Sequence, residues 1–149
     1  MAEGRELYDT DILIWSEQQA ALLRRVAAGE RVNSPELDWP NIIEEVESVG
    51  LNELHAVESL LLQALIHMLK AEAWPLSPAV AAWQAEARTF RRQARRRFSP
   101  SMSQLIDLAG LYADALAGLP ESIDGQSPRP VLNVCQYTVE ELLAEGQRP

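Results

Sequence analysis

Residues 42–69 read IIEEVESVGLNELHAVESLLLQALIHML, and this stretch decides the fold. Its apolar side chains recur at steps of three and four residues, which is the period of a helix buried along one side. The stripe comprises Ile42, Val46, Val49, Val57, Leu61, Ala64, Leu65 and Met68. Gly50 interrupts the composition but not the phase, so the pattern favours one long helix. The alternative is two helices, with Gly50 ending the first and Asn52 capping the second.

A second helical stripe precedes this one. It comprises Tyr8, Ile12, Trp15, Gln19, Leu22 and Val26, and it stops at Gly29. A glycine shortly after the last periodic residue is a common helix end. We therefore predict one helix along this stripe, followed by a polar turn from Gly29 to Pro35.

Start signals mark the helices of the second half. Ser77-Pro78 and Ser99-Pro100 each place serine at an N-cap position and proline in the first turn. Thr138 and Glu141 have the spacing of a capping box. No segment shows the alternation typical of a strand, so the predicted class is all-α.

These signals together predict a single helical domain over residues 1–149. We expect a bundle of four to five main helices and a short C-terminal helix over residues 137–146. The segment 118–136, which is rich in proline and glycine at its start, is predicted to be a loop.

Composition limits the classes of function. The chain has 149 residues, a net charge of −9 and 47% hydrophobic residues, which is typical of one globular domain. The negative charge argues against general binding to nucleic acid or to an anionic membrane. A single cysteine, no visible signal peptide and no apolar run long enough to span a bilayer predict a soluble cytoplasmic protein.

The charge is separated along the sequence. Seven acidic residues and no Lys or Arg lie between Val32 and Leu69, whereas six arginines and no acid lie between Arg88 and Arg97. Arg88, Arg92 and Arg95 share one face of a helix. We interpret this face as paired with acidic residues of the fold or of a partner. A nucleic-acid patch is the alternative, although no aromatic residue shares this face for base stacking.

Candidate catalytic or metal-binding groups are few. Glu44 and Glu47 lie one turn apart, and His67 is a third weak candidate ligand, but the Glu-x-x-His spacing of helical metal sites is absent. His55 and His67 are about 18 Å apart along a helix and cannot share one ion. His67 is better interpreted as a hydrogen-bonded core histidine. We predict no cofactor, and a metal-binding or hydrolytic enzyme using Glu44 and Glu47 remains an alternative.

Two other features favour structure over chemistry. Cys135 has no basic neighbour that would activate its thiol, and no nucleophile elbow or glycine-rich phosphate loop is present. The four tryptophans are interpreted as anchors of a core or an interface: Trp15, Trp39, Trp74 and Trp83.

Several motifs resemble those of a known family. They are Tyr8-x-x-Asp11-x-x-x-Trp15 followed by Leu22-Leu23-Arg24, Leu37-Asp38-Trp39-x-Asn41-Ile42-x-Glu44-Glu45-Val46-Glu47-Ser48-Val49-Gly50, His67-Met68-Leu69-Lys70, Pro100-Ser101, and Tyr137-Thr138-x-Glu140-x-Leu142-Leu143. Over nearly the whole chain they resemble the bacterial family called domain of unknown function twenty-nine. The resemblance implies a small all-helical bacterial protein with no activity to inherit.

The chain departs from the family pattern at two places. It reads Cys135-Gln136-Tyr137-Thr138 where the family often has Cys-Pro-Tyr-Thr, and Ile12-Leu13 where aromatic residues are common. Both departures weaken a catalytic role for the cysteine motif. We interpret these family-motif residues as structural: Tyr8, Asp11, Trp15, Asp38, Trp39, Asn41, Glu44, Glu45, Glu47, Gly50, His67 and Lys70.

The sequence thus favours a non-enzymatic interaction or structural protein. A protein partner or self-association as a homo-oligomer is expected, with no membrane contact. The alternatives are a nucleic-acid accessory module using the arginine helix and the enzyme described above.

Overall fold

A computed structural model describes residues 2–144, apart from the side chains of Ala2, Glu3 and Ser34, and it contains helices and loops without a strand over that range. The all-α prediction is confirmed. The helices are α1 (Ala2–Thr10), α2 (Ile12–Ala27), α3 (Trp39–Ala73), α4 (Val80–Arg97), α5 (Leu108–Ala117) and α6 (Val139–Leu143). Two short 3₁₀ helices are η1 (Ser34–Glu36) and η2 (Pro100–Gln104).

The chain divides into two compact units, Met1–Leu51 and Asn52–Pro149. The first unit contains α1, α2, η1 and the beginning of α3, and the second contains the remaining elements. The single domain expected over residues 1–149 stays a prediction.

Helix α3 runs through Gly50 without interruption, as the phase of its stripe predicts. Its 35 residues extend about 52 Å at the usual rise per residue. Glycine inside a helix costs about 1 kcal/mol relative to alanine. A Cβ at Gly50 would meet nothing within 4 Å, so no packing within the described chain requires the glycine there.

The apolar core lies in the second unit. Its buried side chains come from α3, α4, η2, α5, α6 and the turn between η2 and α5, and they form one cluster: Leu54, Val57, Leu61, Leu65, Leu69, Ala94, Met102, Ile106, Tyr112, Ala115, Val139, Leu142 and Leu143. The apolar face of α3 repeats with helical period through this cluster. Burial of that face therefore explains why α3 stays helical despite its glycine.

The loop predicted over residues 118–136 contains no helix, and side-chain hydrogen bonds hold it in place. Trp74 Nε1 donates to the carbonyl oxygen of Gln126 at 2.8 Å, and Tyr112 Oη donates to that of Leu132 at 2.6 Å. Asp124 and Gly125 both adopt positive φ, which suits the tight turn that these two residues form.

The first unit has a much smaller apolar core. Among the described residues, Trp15 and Leu37 are its buried apolar side chains, against seventeen in the second unit. Its other buried side chains are polar, Gln19 and Asp38. Hydrogen bonding therefore contributes an unusual share of the organisation of this unit.

Four sequence-based boundaries are wrong. Ser77-Pro78 does not begin a helix, because the N-cap of α4 is Ala79, whose amide donates to Ser77 Oγ at 3.1 Å. The stripe from Tyr8 to Val26 belongs to two helices, because Asp11 has extended backbone and its Oδ1 caps α2 by accepting from the amide of Ile14 at 3.1 Å. A side chain at an N-cap position starts a new helix even when the apolar phase continues.

Ser99-Pro100 begins only the short η2, and a separate cap, Asp107, begins α5 by accepting from the amide of Gly110. The short helix predicted over 137–146 begins instead at Val139, because Thr138 is its N-cap and accepts from the amide of Glu141. Its last helical residue is Leu143, and residues 145 and 146 of the prediction lie outside the described residues.

Candidate functional site

The family motifs of the first half meet at the carboxylate of Asp38. This side chain is 6% exposed, and its Oδ2 accepts from Trp15 Nε1 at 3.0 Å and from Asn41 Nδ2 at 2.8 Å. Asp38 precedes α3, so the carboxylate joins the start of that helix to α2. Charge-assisted hydrogen bonds in a buried site are the stronger kind.

Gln19 completes these contacts from the next turn of α2. Its Oε1 accepts from the amide of Asp38 at 2.9 Å, and its Nε2 donates to the carbonyl oxygen of Glu36 at 3.3 Å. We call Trp15, Gln19, Asp38 and Asn41 the polar hub. Gln19 occupies an apolar position of the α2 stripe in the sequence, which was the signal that it is buried and bonded.

A second contact of the same motifs joins α1 to α3. Tyr8 Oη donates to Glu45 Oε1 at 2.6 Å, and the Tyr8 ring packs edge-on against Trp15 with centroids 4.9 Å apart. The hydrogen bond to Glu45 raises the pKa of Tyr8 to about 12. These groups satisfy one another, so their arrangement supports the structural interpretation of the motifs.

One polar atom of the hub has no partner. Asp38 Oδ1 is buried without a hydrogen bond among the described atoms. A groove of about 580 Å³ lies nearby between α1, α2 and η1, lined by Gly4, Gln19, Arg25 and Glu36 among others. Arg25 already pairs with Glu30 at 2.8 Å. No nucleophile paired with a base lines this groove in the part of the chain that the structure describes.

The opposite side of α3 carries an exposed apolar surface. Trp39, Ile43 and Val46 are 42%, 53% and 70% exposed, and Gly50 continues the series. At about 100° per residue, these four positions lie within about 60° of one another and extend over about 17 Å. We call them the α3 stripe. Asn41 and Glu45, which face the hub, lie on the far side of the helix.

Further apolar side chains are exposed in the same unit. Nine of the thirteen exposed large hydrophobic residues among those described lie within residues 1–51, although this unit is the smaller one. Val49 and Leu51 belong to this group and border the stripe. A concentration of this kind is typical of an interaction surface.

An acidic residue borders the stripe. Glu47 is exposed next to it, Glu44 is exposed farther around the helix, and residues 1–51 contain four basic against eleven acidic residues, a net charge of −7. The first unit therefore carries most of the chain's charge of −9. Glu44 and Glu47, proposed from sequence as candidate ligands, lie in the first unit, and His67 belongs to the second.

His67 is fully engaged within the second unit. Its Nδ1 lies 2.7 Å from the carbonyl oxygen of Gln63, and its Nε2 lies 2.7 Å from Glu86 Oε2. Its ring also contacts Phe90. Within residues 2–144, no three His, Cys, Asp or Glu side chains are grouped as a metal site would require.

The arginine helix α4 serves several roles. Arg91 is buried, and its Nε donates to the carbonyl oxygen of Leu142 at 2.7 Å, while Nη2 lies 3.4 Å from that of Glu141. Burial lowers the pKa of Arg91. These bonds attach α6 to α4. One signal of this role is visible in the sequence, because Arg91 lies in phase with the buried Ala87 and Ala94.

The arginines predicted to form one face differ in exposure. Arg88 and Arg92 are exposed and Arg95 is half-buried, whereas Arg97 forms an ion pair with Glu53 at 3.6 Å. Arg96 is exposed at one further turn. We call Arg88, Arg92 and Arg96 the exposed arginine row. No ion pair engages this row among the described side chains.

The remaining predicted residues have structural surroundings. Lys70 lies half-buried in the last turn of α3, and Cys135 is half-buried with its Sγ 3.6 Å from the carbonyl oxygen of Tyr137. Trp15 and Trp74 are buried anchors, whereas Trp39 is exposed on the α3 stripe. Over the described residues, no helix is both long enough and apolar enough to cross a membrane.

A family model described as domain of unknown function DUF29 matches residues 7–146. The structure is similar to the crystal structure of an α-helical protein of unknown function from Rhodospirillum rubrum, with a TM-score of 0.63 and 23% sequence identity over 93% of this chain and 89% of that one. This likeness shows a shared fold. The search of curated protein sequences finds no match.

Proposed function

The chain belongs to the family described as domain of unknown function DUF29, and from this premise we propose that it is a non-enzymatic interaction protein whose binding surface is the α3 stripe. One observation carries the proposal. The stripe is an apolar helix face left open to solvent in a unit that buries only two apolar side chains among its described residues.

The energetics support this assignment. Complete burial of a large apolar side chain contributes about 1.5–3 kcal/mol. Because Trp39, Ile43 and Val46 are 42–70% exposed, covering them would contribute roughly 2–5 kcal/mol before the cost of association. A stable complex therefore needs a partner that adds further contacts around this stripe.

The polar hub supports a scaffold role for the rest of the first unit. Its hydrogen bonds connect α2 to the start of α3, the bond from Tyr8 to Glu45 adds α1, and together they hold the stripe in a fixed helical conformation. Preorganised surfaces bind with a smaller entropic cost. The single half-buried cysteine supports a cytoplasmic setting for this interaction.

A photo-crosslinking residue at position 46 tests the proposal in cells of the source organism. The matched control carries the same residue at position 134, because Val134 is 68% exposed and Val46 is 70% exposed. We expect discrete higher-mass adducts from position 46 and none of the same mass from position 134. Identical adduct patterns at both positions, or no adduct at position 46, would refute the proposal.

The mass of the adduct also identifies the class of partner. Twice the mass of the chain would support self-association, which the sequence favours. Any other mass would indicate a different protein. Both results support an interaction function for the stripe.

A further inference from the structure

We infer that the α3 stripe binds an amphipathic helix of a different protein, one that carries Lys or Arg beside its apolar face, and that Gly50 is where the two helices approach most closely. This inference rests on the proposed function, and it adds the chemistry of the partner and the geometry of contact.

The charge around the stripe determines the chemistry of its partner. Glu47 is exposed at one edge of the stripe, and the chain has no Lys or Arg from residue 33 to residue 69. The whole first unit has a net charge of −7. Basic residues flanking the apolar face of the incoming helix would therefore meet a negative potential with no competing cation on this part of α3, which speeds association and excludes acidic competitors.

The shape of the stripe favours a helix. Its members recur at four-, three- and four-residue steps, so they form a narrow band along α3 that matches the narrow apolar band of another helix. Docking of an amphipathic helix on an apolar surface through such anchors is a common mode of peptide recognition.

Gly50 supplies the second observation. It lies in phase with the stripe, is exposed, and has open space where a Cβ would be. No contact in the described chain accounts for a helix-destabilising residue at this position. Close approach of another backbone is one of the uses of glycine, because any Cβ would hold that backbone away.

Other occupants fit less well. A second copy binding through the same stripe would bring two units of charge −7 together. Helix α4 of a second copy has the arginines, but its described residues include no exposed large apolar side chain to fill the stripe. An anionic membrane would be repelled by the acidic border.

The test uses the full chain and a synthetic helical peptide with leucine on one face and lysine on the other. Two control peptides have glutamate in place of lysine, or the same leucines and lysines in scrambled order. We expect saturable binding of the patterned lysine peptide by fluorescence anisotropy, weakened at least tenfold in both controls. Equal binding of the scrambled peptide would overturn the inference, because it would show a general attraction between opposite charges.

Variants of the chain separate apolar contact from charge. Val46→Asp adds an acid, which by charge alone would strengthen binding of the lysine peptide, whereas loss of apolar contact should weaken it at least tenfold. Val134→Asp adds the same charge at a similarly exposed valine outside the stripe, and should leave affinity within twofold. Unchanged or tighter binding by Val46→Asp would overturn the inference, with circular dichroism showing that both variants remain helical.

Gly50→Ala tests the point of closest approach. We expect this variant to raise the urea midpoint of the free chain and to weaken binding of the lysine peptide at least fivefold. A higher midpoint with unchanged affinity for the lysine peptide would show that Gly50 is not part of the contact. A cross-linked partner at position 46, together with no binding of the lysine peptide, would overturn the partner chemistry while leaving the interaction function supported.

Discussion

Replacing Asp38 with alanine should lower the free energy of unfolding of the first unit by about 2–5 kcal/mol. The variant removes the acceptor of two donors, Trp15 Nε1 at 3.0 Å and Asn41 Nδ2 at 2.8 Å. A buried donor left without a partner costs about 1–3 kcal/mol. Trp15 is 4% exposed, so water cannot readily replace the lost acceptor.

Urea unfolding followed by tryptophan fluorescence would measure this loss, and hydrogen exchange would locate it. Faster exchange is expected in α1, α2 and the first turns of α3. Glu44→Ala is the matched control, because it removes an exposed carboxylate from the same family motif and should change the free energy by less than about 0.5 kcal/mol. Asp38→Asn should cost less than alanine, since its carbonyl oxygen still accepts.

The reasoning would be refuted by an unchanged midpoint in Asp38→Ala. It would also be refuted if faster exchange were confined to residues 52–144, because the hub lies entirely within the first unit. Equal losses of unfolding free energy in Asp38→Ala and Glu44→Ala would show that burial of the Asp38 carboxylate does not add to its stabilising effect.

Arg91→Ala should destabilise the second unit by about 2–3 kcal/mol and speed hydrogen exchange in α6, because carbonyl oxygens of α6 lose a buried cationic donor. Equal effects in the exposed control Arg92→Ala would contradict this role of Arg91. Tyr8 should titrate near its pKa of about 12, so the stabilising effect of its raised pKa is complete below about pH 10 and is lost as pH rises towards 12. Ultraviolet titration of wild type against Tyr8→Phe measures this ionisation, and a Tyr8 pKa near 10 would disprove the bond to Glu45. Changing the whole exposed arginine row to alanine should alter the unfolding free energy by less than about 0.5 kcal/mol, whereas salt-sensitive binding of DNA or RNA that this change abolishes would support the nucleic-acid alternative.

Local patterns in the sequence predict much of the fold. The apolar phase correctly predicts that α3 continues through Gly50, because burial over many turns outweighs one unfavourable residue. The N-cap role of Thr138 is likewise confirmed, because its Oγ1 accepts from the amide of Glu141. At Asp11 the continuous apolar stripe predicts one helix, but the side-chain cap of Asp11 divides it into two helices.

The candidate site required tertiary contacts that no local pattern contains. Tyr8 and Glu45 are 37 residues apart, and their hydrogen bond depends on how α1 and α3 pack. The exposure of the α3 stripe could not be predicted from the sequence, for a related reason. An apolar stripe of helical period reads the same whether its own fold covers it or leaves it open, so the sequence predicted burial for Val46, which is exposed.

Helix α3 also has a consequence for dissection of the chain. Most domains are separated at a flexible linker, but here the boundary between the compact units falls at residues 51 and 52, inside a continuous helix. Any cut at that boundary breaks main-chain hydrogen bonds of both halves, and leaves unpaired amide and carbonyl groups at the two new ends. Expression of the second unit should therefore begin at an earlier turn of α3, where Ser48 can serve as an N-cap. By the same reasoning, limited proteolysis of the native chain should spare this boundary and cut elsewhere.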